Sequence, residues 1–148
     1  MSDGPRRDDL RRRLAEVPDR LADATRGATG PIPEGEWSPS DVVRHLIAVE
    51  EEVWHGRLRQ VAVEDDPRWP WTEPDRWLGA PDASLDELLA IYAERRGATV
   101  GILDGLDDAG WARTGEHATY GTLDVAALMI RAIDHDEVHL ASFDGPRD

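Results

Sequence analysis

Residues 122–142 read TLDVAALMIRAIDHDEVHLAS. Thr122 and Asp124 offer capping oxygens at the start, and Leu123, Val125, Ala126, Ala127, Leu128, Met129, Ile130 and Ile133 follow. A helix to about Ser142 that is apolar nearly all round belongs in the middle of a helical structure. Near its end stand His135 and His139, at i and i+4. On a helix that spacing puts two imidazoles on one face with Cβ atoms about 5–6 Å apart, close enough to chelate one metal ion. Leu128 and Ala132 share the sector, so both rings point into protein, where unpaired nitrogens would be costly unless something satisfies them. Two histidines four apart by chance is the alternative reading.

Two ligands rarely suffice. Nine residues follow His139 and none is His, so a third imidazole must come from upstream. Ser38 as N-cap, Pro39 at the first helical position and Asp41 in the first turn open a helix that runs to about Val61. Val42, Leu46, Val49 and Val53 share one sector of it, widened by Val43, Ile47, Trp54 and Leu58, and His45 lies at the edge of that stripe. His55 falls on the opposite face with Arg44, Glu51 and Arg59, where solvent is expected. His45, His135 and His139 are therefore the candidate metal ligands. A zincin-type protease is disfavoured: the residue after the first His is Asp136, where that helix requires Glu, and no third ligand lies downstream.

Working outward, Leu10, Leu14, Val17, Leu21 and Ala24 make one helical stripe over about Asp8 to Thr25, which Pro18 should kink or split. Gly27 to Glu36 is a loop. Glu64 to Ala83 carries Trp69, Trp71 and Trp77 and is a long connection that must fold back onto the bundle, either as a pocket wall or lid over the metal or as a cover for the bundle's open end. Ser84 and Glu87 form a capping box for a third long helix to about Asp104. Gly105 to Gly121 reads as polar and irregular, anchored by Trp111 and Tyr120, and no β alternation competes anywhere. The expected fold class is all-α: a four-helix bundle, one domain over residues 1–148.

Forty per cent apolar and 32% charged residues fit a soluble globule. No run approaches about 18 apolar residues and the start lacks a signal-peptide h-region, so no membrane association and a cytoplasmic location are expected. A net charge of −14 argues against nucleic acid as a partner. All 17 basic residues are Arg. The absence of cysteine rules out thiolate ligands, and any thiol chemistry must borrow its thiol.

Trp37-Ser38-Pro39, then Asp41-Val-Val-Arg-His45-Leu46 with Glu50 five residues on, Gly121-Thr-Leu before the last helix, and His135-Asp136 with His139 together resemble the DinB superfamily, over nearly the whole chain. That family of small bacterial four-helix metalloproteins includes bacillithiol transferase-like and mycothiol-dependent enzymes. The resemblance implies an up-down-down-up bundle, frequently a homodimer, whose three-histidine site holds zinc, nickel or a similar divalent ion with one position open. It favours a transferase or isomerase acting on a small-molecule substrate with a low-molecular-weight thiol cosubstrate. Metal-dependent hydrolysis, and metal or ligand binding without turnover, are the alternatives. Glu52, Asp134 and Asp136 are candidate bases or merely helix-surface carboxylates, and His117 is a loop histidine that either approaches the site mouth or sits in solvent.

Overall fold

The computed structural model describes residues 4–28 and 30–143. Four long helical stretches carry the fold: α1 (Gly4–Gly27), α2 (Pro39–Val49) continuing through a π-helical segment (Glu50–His55) into α3 (Gly56–Val63), α4 (Leu85–Asp104), and, after the short α5 (Asp108–Trp111), α6 (Val125–Ala141). α1 packs against α4 and α6, and α2 with its π-helical extension packs against α4. No helix is long and apolar enough to cross a membrane among the described residues.

The caps lie where the sequence puts them. Asp41 N–H donates to Ser38 Oγ while Ser38 N–H donates to Asp41 Oδ2, and Ser84 and Glu87 reciprocate in the same way at the start of α4. For α6 the cap is Asp124, whose Oδ1 accepts from Ala127 N–H at 2.8 Å. Thr122 is not part of it: its hydroxyl donates to Glu116 instead.

Four expectations need correction. α1 is not split at Pro18 but runs unbroken for 24 residues. Proline has no N–H to give the carbonyl of Leu14, four residues back. Arg96 Nη1, reaching across from α4, donates to that carbonyl at 3.0 Å instead. Second, the helix after Ser38 is interrupted by a π turn, whose wider i→i+5 bonding shifts the register of everything beyond it. Gly56 closes the turn, where a Cβ would stand 3.1 Å from the Glu51 carbonyl oxygen. Third, α6 is not buried all round, since Asp134 is exposed and Val138 is 68% exposed.

Fourth, the protein is mostly helical but not all-α. β1 (Arg68–Trp69), β2 (Thr114–His117) and β3 (Gly121–Asp124) form one small sheet in that order, β1 parallel and β3 antiparallel to β2. Strands of two to four residues are too short to show alternation. Trp69 pairs with His117 in register, and its ring lies over Gly115, where a Cβ would come within 2.4 Å of it. The sheet therefore pins the Trp-rich connection to the segment before α6.

The apolar core falls into two clusters. Leu10, Leu14, Val53, Leu58, Leu103 and Met129 belong to one, and Val17, Leu21, Ile47, Leu88, Tyr92 and Leu140 to the other. Along α1, α4 and α6 the change of cluster falls at the level of Arg96, Glu50 and Asp136, each 1% exposed. Arg96 donates Nε and Nη2 to Glu50 Oε1 and both Nη groups to the two oxygens of Asp136, and Thr99 Oγ1 donates to Glu50 Oε2 at 2.7 Å. With Leu14, this network ties all four helical stretches together.

Candidate metal centre

The α2 cap sets where His45 stands, within the first two turns of a helix whose inner face is buried; His45 itself is 2% exposed. Its Nδ1 lies 2.9 Å from the carbonyl oxygen of Pro74, in the Trp-rich connection. A carbonyl only accepts, so Nδ1 carries the proton and Nε2 of the neutral ring presents a lone pair. That Nε2 is buried without a hydrogen-bond partner.

His135 and His139 on α6 complete the arrangement. One nitrogen from each of the three rings lies within 4.8 Å of the others, and the ring centroids are 4.6 to 5.6 Å apart. Nδ1 of His135 is likewise buried without a partner. Burial first, then the neighbouring His139, His45 and Arg96, pushes the His135 pKa down to about 3, and burial with His45 pushes His139 down to about 4. Both are therefore neutral near pH 7, the form that ligates a metal. Nitrogen donors that converge and leave buried ring nitrogens unpartnered fit a divalent ion.

Around the cluster, Trp37 packs on His45 and Trp54 meets His135 edge-on at 5.9 Å. Glu73 Oε1 lies 3.8 Å from His45 Nε2. Asp136, beside His135 in the chain, is committed to Arg96, which fixes that end of α6; burial raises its pKa to about 6 against the pull of Arg96. Glu52 is exposed and lines no part of the site, whereas Asp134 lies on the wall of the adjoining cavity. His55 is half-buried, with its pKa lowered by burial and Arg59, and it is not one of the converging rings.

Beside His135 opens a cavity of about 220 Å³. Its wall includes Arg57, Trp71, His117, Tyr120 and Arg131. His117 corrects the sequence reading: it is a buried strand residue, not an exposed loop histidine. The three tryptophans of the connection divide. Trp71 lines the cavity, Trp69 is buried with Nε1 donating to Gln60 Oε1, and Trp77 packs against the second apolar cluster.

These shifts predict a pH dependence for metal-free protein. His135 and His139 have folded pKa values below their ordinary 6.5, so below about pH 6.5 the unfolded chain takes up protons that the folded one refuses, and stability falls. Asp136, raised above 3.8, acts in the opposite sense between about pH 4 and 6, but it is one group against two. The thermal midpoint should drop from pH 7 to pH 4.5, and replacing both histidines by glutamine should flatten that slope. A midpoint independent of pH over that range would contradict the burial of the pair.

A family model described as the DinB superfamily matches residues 6–142. No curated protein matches the chain significantly. Among solved structures, YfiT from Bacillus subtilis is similar, with a TM-score of 0.75 and 22% sequence identity over 97% of this chain and 86% of that one. YfiT is described as a probable metal-dependent hydrolase with an unusual four-helix bundle topology. At that identity the likeness is one of fold.

Proposed function

The chain belongs to the DinB superfamily, and on that premise we propose that it is a metal-dependent enzyme for a small-molecule substrate, with His45, His135 and His139 holding one zinc or nickel ion. The observation that carries this is the convergence of three imidazoles with the buried Nε2 of His45 left unpartnered. An ion held by His45, His135 and His139 would supply Lewis-acid chemistry there, activating water or polarising a substrate oxygen.

The chain's own groups divide the remaining work. The Pro74 carbonyl fixes the His45 tautomer, Arg96 anchors Asp136 and with it the backbone next to His135, and Val53, Leu123 and Leu128 give the adjoining cavity an apolar side that limits water. With Asp136 committed and Glu52 elsewhere, Glu73 and Asp134 are the carboxylates positioned to exchange protons at the mouth.

Hydrolysis is the first reading, supported by the description of YfiT as a probable metal-dependent hydrolase and by a cavity with room for one small molecule. Transfer or isomerisation with a borrowed thiol is the second, supported by the apolar wall, which would shelter a thiolate. The same proposal includes the up-down-down-up helix order, one domain, a cytoplasmic location and a homodimer with no nucleic-acid partner.

The test is elemental analysis of untagged protein. About one transition metal per chain, sharply reduced in His45→Ala, is the expected result; no metal in wild type after incubation with zinc or nickel would remove the proposal. Zinc-loaded protein that cleaves 4-nitrophenyl acetate favours hydrolysis. Consumption of cysteine thiol against 1-chloro-2,4-dinitrobenzene favours transfer, and turnover of neither leaves a protein that binds metal without catalysis.

A further inference from the structure

The cavity beside His135 has an electrostatic character that the histidine cluster does not explain. Two arginines line it, and neither has an ion pair among the described residues, in a chain carrying 31 acidic residues against 17 basic ones. Arg57 is 7% exposed. Its Nη2 donates to the carbonyl of Pro70 at 2.8 Å and lies 3.4 Å from Thr72 Oγ1, and its guanidinium carbon lies 5.6 Å from the centre of the Trp69 ring, while Nε and Nη1 make no hydrogen bond among the described residues. Burial alone lowers its pKa, with no carboxylate to offset it. Arg131 makes no hydrogen bond among the described residues; its guanidinium carbon sits 3.9 Å from the centre of the Tyr120 ring.

His117 lines the same cavity. Its Nδ1 accepts from the backbone N–H of both Thr119 and Tyr120, at 2.9 and 3.2 Å, so the proton of the neutral ring is on Nε2. Arg57 and Arg131 both act electrostatically on this ring, and all three side chains line the same cavity. Three donor groups therefore line one cavity, and Nε and Nη1 of Arg57, the Arg131 guanidinium and the Nε2–H of His117 have no acceptor among the described residues. A buried, unpaired guanidinium is unfavourable unless something anionic completes it. Two carboxylates also line the wall, but both are exposed and neither pairs with an arginine. Glu73 leans toward His45, and Asp134 makes no ion pair with Arg131 three residues before it.

We infer that this cavity recognises its ligand through an anionic group, a carboxylate or a phosphate, held by Arg57, Arg131 and the Nε2–H of His117, with the apolar remainder against Val53, Leu123 and Leu128. Planar guanidinium donors suit the paired oxygens of either anion. Calling this ligand the substrate rests on the proposed metal-dependent reaction; the anion site itself does not, because none of its three residues is in the histidine cluster.

The experiment is calorimetric titration of chelator-treated, metal-free protein with phenylacetate, phenyl phosphate and the neutral phenylacetamide. One or both anions should bind roughly tenfold or more tightly than the amide, and the stronger of the two identifies the group. Arg131→Met should remove that preference while leaving amide binding unchanged, and Arg131→Lys should restore part of it. Arg131 is half-buried, touches the Tyr120 ring and makes no hydrogen bond among the described residues, so its replacement should leave the fold intact, unlike that of the buried Arg57. Equal affinity for anions and amide, no binding of any of the three, or a preference that survives Arg131→Met would overturn the inference. The same titration on His45→Ala separates the two ideas: an anion preference that persists there, with zinc binding lost, shows that the sites are independent, and a preference lost with His45 overturns the assignment to the arginines.

Discussion

Arg96→Ala is expected to destabilise the fold by about 3–5 kcal/mol, the usual cost of removing one partner from a buried ion pair. Arg96 is the guanidinium that pairs with both Glu50 and Asp136, all three 1% exposed, so its loss leaves two carboxylates in the core without that partner. It also strips the Leu14 carbonyl of its donor. The measurement is urea unfolding followed by far-ultraviolet circular dichroism. Arg96→Met combined with Glu50→Gln and Asp136→Asn should recover much of the loss, because the charges left unpaired by the single change are then gone. A loss below about 1 kcal/mol for the single variant would mean that the network adds little to stability.

Zinc is expected to raise the thermal midpoint of wild type by on the order of 10 °C at a thousandfold excess over Kd, since such an excess contributes about 4.1 kcal/mol and a domain of this size shifts by about 2–4 °C per kcal/mol. His135→Ala and His139→Ala should abolish the shift. His55→Ala should keep it in full, because His55 sits in the π turn outside the convergent set. Equal loss in His55→Ala would overturn the assignment of faces along the second helical stretch. The metal-free His135→Ala protein is the informative control, as it removes an imidazole whose buried Nδ1 has no partner and so separates the cost of lost packing from that of lost metal.

The convergence of His45, His135 and His139 was legible because each depends on local rules: a capping box that starts α2 at Pro39, and an i,i+4 pair on a helix capped by Asp124. The adjoining cavity was not. Arg57 lies just beyond a π turn, whose wider hydrogen bonding leaves no mark in residue type. His117 and Tyr120 are delivered by a hairpin whose strands are too short for a periodic signal, and Glu73 and Pro74 by a connection whose path depends on Trp69 seating over Gly115. Arg96 had no distinguishing feature in sequence, since an arginine on a helix is ordinarily solvated. The available hints were its acidic partners: Glu50 follows the apolar run Leu46–Val49, and Asp136 lies within an otherwise inward-facing pair of histidines.

Pro18 inverts the usual account of a proline inside a helix. Helix propensity alone would rank its replacement by alanine as an improvement of about 3 kcal/mol. Here an alanine N–H would compete for the Leu14 carbonyl that now receives Arg96. The imperfection in one helix is thus a socket for a side chain from another, so the register between α1 and α4 is encoded by a missing hydrogen atom as much as by any apolar contact.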